Sequence, residues 1–298
     1  MSLTAHDLEV LATTAITAAR EAGELIARSR PQTIDAKPGG HSPASQVVTE
    51  VDRNAEGIIM RLLAPTVAQF DLGVLTEEQP DDGARLHKEH SWCIDPLDGT
   101  LPFIEGRPGY SVSIGLIARD GTPRIGVVFD PVGRTLFHAV AGGGLFRDGD
   151  RWPRASRPRG DTLTLFTDRS FLDRHGRDEV LAMLEPVARD LGLSRVEIGP
   201  TGAAVMNACR VLAHPPACYF KFPKRQPGGG SLWDYAATAC LFAEAGAVAT
   251  DIEGRPLELN RRDSTFMNHR GISFASDPAL AARISAVWAE RRGESAPG

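Results

Sequence analysis

The sequence predicts a globular fold that is α+β in its first half and α/β in its second half. In the first half, two amphipathic helices precede a series of apolar runs joined by short turns, which is typical of antiparallel strands. In the second half, strand-like and helix-like segments alternate, as they do in α/β proteins. The Arg- and Pro-rich stretch 151–160 predicts a boundary between an α+β subdomain, residues 1–155, and an α/β subdomain, residues 156–298.

In the first half, apolar residues spaced three and four apart predict a helix over residues 5–28, with Thr4 as its N-cap, and a second helix over residues 50–64. Short apolar runs at Val74–Leu75 and Trp92–Ile94 each lead into acidic residues, so we predict two buried strands that carry carboxylates at their carboxyl ends. Antiparallel strands are predicted at Ser111–Ala118, Arg124–Phe129 and Thr135–Val140.

The second half continues the alternation to the end of the chain. Strands are predicted at Thr162–Phe166, Arg195–Ile198, Ala217–Phe222 and 272–275, and helices at Arg177–Leu191, 202–213, Ser231–Ala245 and 278–292. The dipeptide Glu253-Gly254 indicates a turn, which we interpret as the tip of a hairpin.

Composition narrows the classes of partner. The 298 residues are 42% hydrophobic and carry a net charge of −5 without a long basic stripe, so we expect no nucleic acid polymer as partner. A small anionic substrate remains compatible, because bound cations reverse the local field. No apolar run approaches the roughly 18 residues of a membrane span. The amino terminus lacks the order of a signal peptide. We therefore expect a cytoplasmic protein with no membrane partner and with reduced thiols at its four scattered cysteines.

Acidic residues recur at places where strands end or helices begin. Asp52 stands at a helix start, Glu77 and Glu78 follow an apolar strand, Asp95 and Asp98 lie in Asp95-Pro96-Leu97-Asp98-Gly99-Thr100, and Asp234 opens an apolar helix. Each acid taken alone also fits a cap or a turn. Together they favour a carboxylate cluster, and we expect Glu78, Asp95, Asp98 and Asp234 to form it.

Such a cluster suits Mg²⁺, a hard cation that takes oxygen ligands. Pro96 and Gly99 favour a sharp turn that lets Asp95 and Asp98 converge and directs the Leu97 carbonyl inward. Thr100 then places a hydroxyl at the metals, where it is suited to orienting an attacking water. Paired metals clamp both the attacking and the leaving oxygen of a phosphoryl displacement.

At these residues the chain resembles the inositol monophosphatase family. The resemblance rests on the run Trp92–Thr100 with Phe103, on the run Trp233–Ala237 with Glu244–Ala247, on the Glu-Glu pair, and on the segment Ser42-Pro43 to Thr49 and Asp52. It covers roughly residues 5–290 and implies a layered αβαβα sandwich of the inositol monophosphatase and fructose-1,6-bisphosphatase type. It also implies two or three Mg²⁺ ions, inhibition by Li⁺ and a homodimer.

The resemblance also implies roles for single residues. Glu78, Asp95 and the Leu97 carbonyl would hold one metal, Asp95, Asp98 and Asp234 a second, and Glu77 a weaker third. Glu78 and Thr100 would activate water, with Asp52 behind Thr100. The amides of Gly99 and Thr100 would bind phosphate, and the turn Thr201-Gly202-Ala203 would face the organic part of the substrate.

Three departures from the family pattern bear on the third metal or on the substrate. Gln46 stands where many members have an acid, which affects the third metal. Pro227 stands where the inositol monophosphatases have a glutamate that contacts inositol, and the helix after Thr201 lacks the lysine frequent in bisphosphate nucleotidases. The first departure leaves the two-metal core intact, and the second argues against a simple inositol pocket.

The cations Lys221, Lys224 and Arg225 precede the Trp-Asp pair and suit a second anionic group, although they also fit a solvated surface. With features near Phe103 and Asp130, they favour the 3′(2′),5′-bisphosphate nucleotidase branch and 3′-phosphoadenosine 5′-phosphate as substrate. The alternatives are an inositol or other sugar phosphate and, more remotely, a catalytically silent phosphate- or metal-binding relative.

Overall fold

The computed structural model describes residues 3–30, 34–36, 47–153 and 160–294. Its helices and sheets alternate in five layers, which confirms the predicted αβαβα sandwich. The predicted boundary between two subdomains falls partly on residues 154–159, outside the described residues, and the division stays a prediction.

The first layer contains helices α1 (Ala5–Arg28) and α2 (Glu50–Phe70), which pack on each other. Thr4 caps α1 as predicted. Helix α2 continues six residues beyond the predicted end at 64, through Pro65, because its buried face continues through Thr66 and Phe70. The Thr66 hydroxyl accepts a hydrogen bond from Trp92 Nε1 at 3.1 Å, which fixes this extension to the sheet below.

The second layer is a seven-stranded sheet in sequential strand order. The first two strands run parallel and the others antiparallel, and the pairing shifts register between Asp95 and Asp98. A separate strand pair, β1 (Ile34–Ala36) and β2 (Val47–Thr49), precedes α2. The sheet comprises β3 (Gly73–Thr76), β4 (His90–Asp98), β5 (Ser111–Ala118), β6 (Pro123–Asp130), β7 (Thr135–Val140), β8 (Gly144–Arg147) and β9 (Asp150–Arg151), with helix α3 (Thr100–Ile104) after β4.

The middle layer is formed by helices α6 (Ala204–Ala213) and α7 (Leu232–Ala245). Helix α7 lies very close to the seven-stranded sheet, because Gly115 and Gly126 leave room for its backbone. A Cβ atom at Gly126 would lie 2.2 Å from the Ala237 carbonyl oxygen. This close approach brings the first turn of α7 to the carboxyl end of β4.

The fourth layer is a five-stranded sheet in the order β11-β10-β12-β14-β13. Strands β10, β11 and β12 are parallel, so their carboxyl ends share one edge, while β14 runs antiparallel to both its neighbours. The strands are β10 (Thr162–Leu165), β11 (Arg195–Ile198), β12 (Ala217–Lys221), β13 (Val248–Thr250) and β14 (Ile272–Ala275), and the fifth layer contains α4 (Arg169–His175), α5 (Arg177–Asp190) and α8 (Pro278–Glu294).

One local prediction is wrong and one helix was missed. The hairpin expected around Glu253-Gly254 is not formed, because β13 pairs with the distant strand β14. The turn is instead closed by Asp251, whose carboxylate accepts the amides of Glu253 and Arg255. The short helix α4 was not predicted. No helix in the described parts of the chain is both long and apolar enough to cross a membrane.

Candidate active site

Asp95, Asp98 and Asp234 form a compact acidic group. One carboxylate oxygen of each lies within 4.8 Å of the others, although they come from a strand, a strand end and a helix. Asp95 and Asp98 are buried, with 1% and 5% of their surface exposed. These are three of the four acids that the sequence analysis expected to converge.

The turn at the end of β4 produces half of this geometry. The register shift between Asp95 and Asp98 directs both side chains towards the same space. Asp95 Oδ1 accepts the Leu97 amide at 3.0 Å, and Asp98 Oδ2 accepts the Val205 amide at the start of α6 at 2.9 Å. Gly99 follows with φ of +95°, where a side chain would be strained and would meet Ala203.

The other half comes from the start of α7. Asp234 Oδ2 accepts the amide of Ser231 at 2.8 Å, so the carboxylate also caps its own helix. A carboxylate oxygen of Asp234 also lies within 4.8 Å of oxygens of Asp95 and Asp98. Carboxylates this close together disfavour one another's ionised form.

The electrostatics of this group favour a cation. Burial, followed by the charge of Asp234, raises the pKa of Asp98 well above its usual range. Burial and the charge of Glu77 raise the pKa of Asp234 to about 6. Buried oxygen ligands that repel one another fit Mg²⁺, which would relieve that repulsion, so Asp95, Asp98 and Asp234 are the residues that would hold it.

Glu77 and Glu78 lie in different electrostatic surroundings. The charge of Glu77 raises the pKa of Asp98 and Asp234 and also that of Asp52. The charge of Glu78 acts instead on Arg53, whose pKa it helps to raise. Leu75 and Cys93 pack in the core around α7, whereas the Thr76 hydroxyl donates to Glu56 of α2, and both glutamates lie in the turn that follows β3.

Thr100 and Asp52 form the contact that the sequence analysis expected. The Thr100 hydroxyl donates to Asp52 Oδ1 at 2.8 Å, and both side chains are buried. Asp52 Oδ2 accepts the amide and hydroxyl of Thr49 at 2.9 and 2.6 Å. Burial raises the pKa of Asp52 against these hydrogen bonds, which lower it. With its hydrogen committed to Asp52, the Thr100 oxygen presents its lone pairs outward.

The turn Thr201-Gly202-Ala203 lies next to the acidic group, but two of its amides have partners within the protein. The Ala203 amide donates to the Gly109 carbonyl at 2.8 Å, and the Gly202 amide donates to the Thr167 carbonyl at 3.4 Å. Substrate contact from this turn would therefore rely on other atoms. Phosphate binding by the amides of Gly99 and Thr100, and metal binding by the Leu97 carbonyl, stay predictions.

The three predicted cations differ in their surroundings. Lys221, the last residue of β12, has a side chain only 18% exposed, and its Nζ lies 3.0 Å from Asp168 Oδ2. Its charge reaches Asp98 and Asp234, whose pKa it lowers against the stronger opposing effects. Lys224 is half-buried and Arg225 is exposed. A solvated-surface interpretation therefore does not hold for Lys221.

Asp168 was not among the predicted site residues. It follows the apolar strand β10 just as Glu77 follows β3 and Asp95 follows the apolar run of β4, so the same strand-end pattern would have found it. The metal and water-activating roles predicted for Glu78, and the third-metal role predicted for Glu77, stay predictions. Gln46, which bears on a third metal, lies outside the described residues.

Comparison with known sequences places these features in a family. The model of the inositol monophosphatase family matches residues 7–291. Nus factor SuhB of Escherichia coli is 30% identical over 241 residues, which cover 80% of this chain and 84% of that protein. Nus factor SuhB of Pasteurella multocida is 32% identical over 245 residues, with the same coverage of each.

Solved structures share the fold. Inositol monophosphatase II of Staphylococcus aureus superposes with a TM-score of 0.71 at 21% identity, over 96% of either chain. Inositol monophosphatase of Anabaena gives 0.67 at 22% identity, over 95% of this chain and 97% of that one. The family match extends across both sheets and includes every acid of the group described above, so the chain belongs to the inositol monophosphatase family, whose members are Mg²⁺-dependent phosphatases.

Proposed function

We propose that this chain is a Mg²⁺-dependent phosphomonoesterase that hydrolyses a small phosphorylated metabolite by direct attack of water on phosphorus. The observation that carries the proposal is the convergence of Asp95, Asp98 and Asp234 within 4.8 Å beside the Thr100–Asp52 hydrogen bond. When bound at these acids, two Mg²⁺ ions would supply charge neutralisation and activation of water.

The protein's own groups provide the remaining chemistry. Asp52 fixes the Thr100 hydroxyl as a donor, so the oxygen of Thr100 accepts a hydrogen bond from the attacking water and orients it. Glu77, whose charge acts on the same acids, is suited to receive the proton of that water. The amides of Gly99 and Thr100 would hold the phosphate. We thus assign to Glu77 the role that the sequence analysis gave to Glu78.

For the substrate we propose a metabolite with a second anionic group, with 3′-phosphoadenosine 5′-phosphate as first choice. The support is Lys221, which is partly buried and acts electrostatically on Asp98 and Asp234. Inositol or another sugar phosphate is the second choice, supported by the family to which the chain belongs.

The test is phosphate release from 3′-phosphoadenosine 5′-phosphate, inositol 1-phosphate and fructose 1,6-bisphosphate, each with and without Mg²⁺. We expect release only with Mg²⁺, and fastest from the nucleotide. Preference for inositol 1-phosphate would contradict the substrate choice. Absence of phosphate release from all three would favour a non-catalytic role. Isolation of a stable phosphorylated aspartate would contradict direct attack by water.

Three further properties stay predictions. Li⁺ is expected to inhibit, which activity in lithium chloride against sodium chloride at equal ionic strength would test. A homodimer is expected, which light scattering would test. The net charge of −5 argues against a nucleic acid partner. Matched relatives are named Nus factors, which leaves an RNA-related partner as the opposing expectation. Titration of RNA into the purified chain distinguishes the two.

A further inference from the structure

The carboxyl ends of the parallel strands in the five-stranded sheet carry opposite charges in contact. Asp168 stands just beyond β10 and Lys221 ends β12, and the two strands pair directly. Lys221 Nζ lies 3.0 Å from Asp168 Oδ2. Ligands of α/β proteins bind outside the carboxyl ends of parallel strands, so this ion pair occupies a ligand-binding position.

Both partners are held in place. Asp168 Oδ1 accepts the amide of Phe171 at 2.8 Å and the hydroxyl of Ser170 at 2.6 Å, which caps α4. The ammonium of Lys221 lies 5.9 Å from the centre of the Tyr219 ring. Only 18% of the Lys221 side chain and 21% of the Asp168 side chain are exposed. The pair is therefore partly buried and held by its neighbours, unlike a mobile surface pair.

The surrounding charge is positive. Burial, then the charges of Arg174 and Lys221, lower the pKa of Lys224, so both of these cations lie within electrostatic reach of Lys224, and Asp168 is the acid that opposes them. An excess of positive charge suits an anionic ligand. Thr167, which precedes Asp168, accepts the Gly202 amide, and Asp98 accepts the Val205 amide from the same segment, so this positive region adjoins the acidic group.

We propose that Arg174, Lys221 and Lys224 form a subsite for the non-scissile phosphate of the substrate. In this subsite Asp168 is the resident counter-ion of Lys221, and its negative charge repels every incoming anion. This rests on the proposed function, which it deepens. A carboxylate about 3 Å from the ammonium opposes every approaching anion. A weakly charged group then gains little, whereas a dianion that also reaches Lys224 and Arg174 gains enough to bind.

The inference makes opposite predictions for the two partners. Lys221→Gln removes attraction, so the affinity for a phosphate dianion falls by about tenfold or more. Asp168→Asn removes repulsion, so the affinity rises by about threefold or more. Asparagine caps helices as well as aspartate does, so α4 is retained. The double variant loses both charges and should bind with an affinity between those of the single variants.

The experiment is calorimetric titration of adenosine 5′-phosphate, adenosine and inorganic phosphate into the Mg²⁺-loaded protein at pH 7.5. Adenosine 5′-phosphate represents a product that retains the second phosphate, and adenosine controls for base contacts. We expect inorganic phosphate to bind more tightly to Asp168→Asn than to the unchanged protein. The exposed pair Lys88–Asp71 provides the control variants Lys88→Gln and Asp71→Asn, which should leave all three affinities unchanged.

The outcomes separate the alternatives. If both single variants weaken binding of adenosine 5′-phosphate alike, the pair is a structural support and the counter-ion inference is overturned. If neither variant changes the affinity, or adenosine 5′-phosphate does not bind, the subsite is overturned. Binding can be measured without turnover. If the two single variants change the affinity in opposite directions but the protein releases no phosphate from any substrate, the subsite is upheld and the proposed function is rejected.

Discussion

The acidic group and the Asp168–Lys221 pair are built in opposite ways. At the acidic group, Asp95, Asp98 and Asp234 crowd together, and burial and neighbouring carboxylates raise the pKa of Asp98 and Asp234. At the strand ends of the other sheet, Asp168 is in contact with Lys221, and the effect of that ammonium, set against burial, leaves the pKa of Asp168 lowered. The acidic group needs an added cation, whereas Asp168 already has the ammonium of Lys221 beside it.

The largest effect is expected from a substitution within the acidic group. Asp95→Asn should lower kcat/KM by more than about a hundredfold. Removing a residue that only orients a metal ligand costs up to about a hundredfold, and loss of a ligand itself should cost more. The reason is that Asp95 accepts the Leu97 amide, lies within 4.8 Å of Asp98 and Asp234, and would serve both metals. Phosphate release at saturating Mg²⁺ measures the effect. Full turnover in this variant would show that the site is misassigned.

A smaller difference separates the adjacent glutamates. Glu77→Gln should cost about ten- to a hundredfold in activity, while Glu78→Gln should cost no more than a few-fold, because the charge of Glu77 acts on the acidic group and that of Glu78 acts on Arg53. The two variants are matched controls for each other. Activity titrated with Mg²⁺ provides the measurement, and the reverse order would restore the role first given to Glu78.

Stability without metal should change with opposite sign in the two regions. The pKa of Asp234 is about 6, above the unfolded value near 4, so its ionisation costs stability as pH rises through this window. Asp234→Asn should therefore stabilise the metal-free protein at pH 7.5, by up to about 3 kcal/mol, and give no gain at pH 4. The pKa of Asp168 is lowered, so Asp168 stabilises the fold above its unfolded pKa, and Asp168→Asn should destabilise at pH 7.5.

Urea unfolding in a chelating buffer at both pH values measures these changes. Added Mg²⁺ should abolish the advantage of Asp234→Asn, because the cation compensates the charge that this variant removes. Destabilisation by both variants at pH 7.5 would mean that the acidic group is not under electrostatic strain, and the contrast between the regions would fail.

The smallest effect concerns Thr167, which is fully buried before Asp168. Its hydroxyl has no hydrogen-bond partner among the described residues. Thr167→Val keeps the shape and removes an unsatisfied polar group, so the free energy of unfolding should rise by less than about 1 kcal/mol. The same urea curves measure it, with a loss of stability indicating that the hydroxyl does have a partner.

Much of the fold was predictable, because the spacing of apolar residues along a segment indicates which of its faces is buried. The helix at 5–28 and the strands at Ser111–Ala118 and Thr135–Val140 agree with the structure at both ends. The partner of β13 was not predictable, because 21 residues separate it from β14 and no local pattern encodes that pairing. The extension of α2 beyond Pro65 was missed because burial against the sheet outweighs the local cost of proline.

The site shows the same division between local and tertiary information. Asp95, Asp98 and Thr100 could be grouped from one short motif, and Asp52 from the family resemblance. Which of Glu77 and Glu78 acts on the acidic group depends on tertiary packing, which no local pattern encodes. The contact between Asp168 and Lys221 joins residues 53 positions apart through pairing of β10 with β12, which the sequence does not reveal.

The hydrogen bonds of Asp52 have a consequence for heat inactivation. One oxygen of this carboxylate caps the start of α2 and the other holds Thr100. Helix ends open at lower free energy than the core does. Each opening of the first turn of α2 would release Thr100 from its orientation while both sheets stay intact. On heating, phosphate release should therefore be lost several degrees before the global unfolding transition.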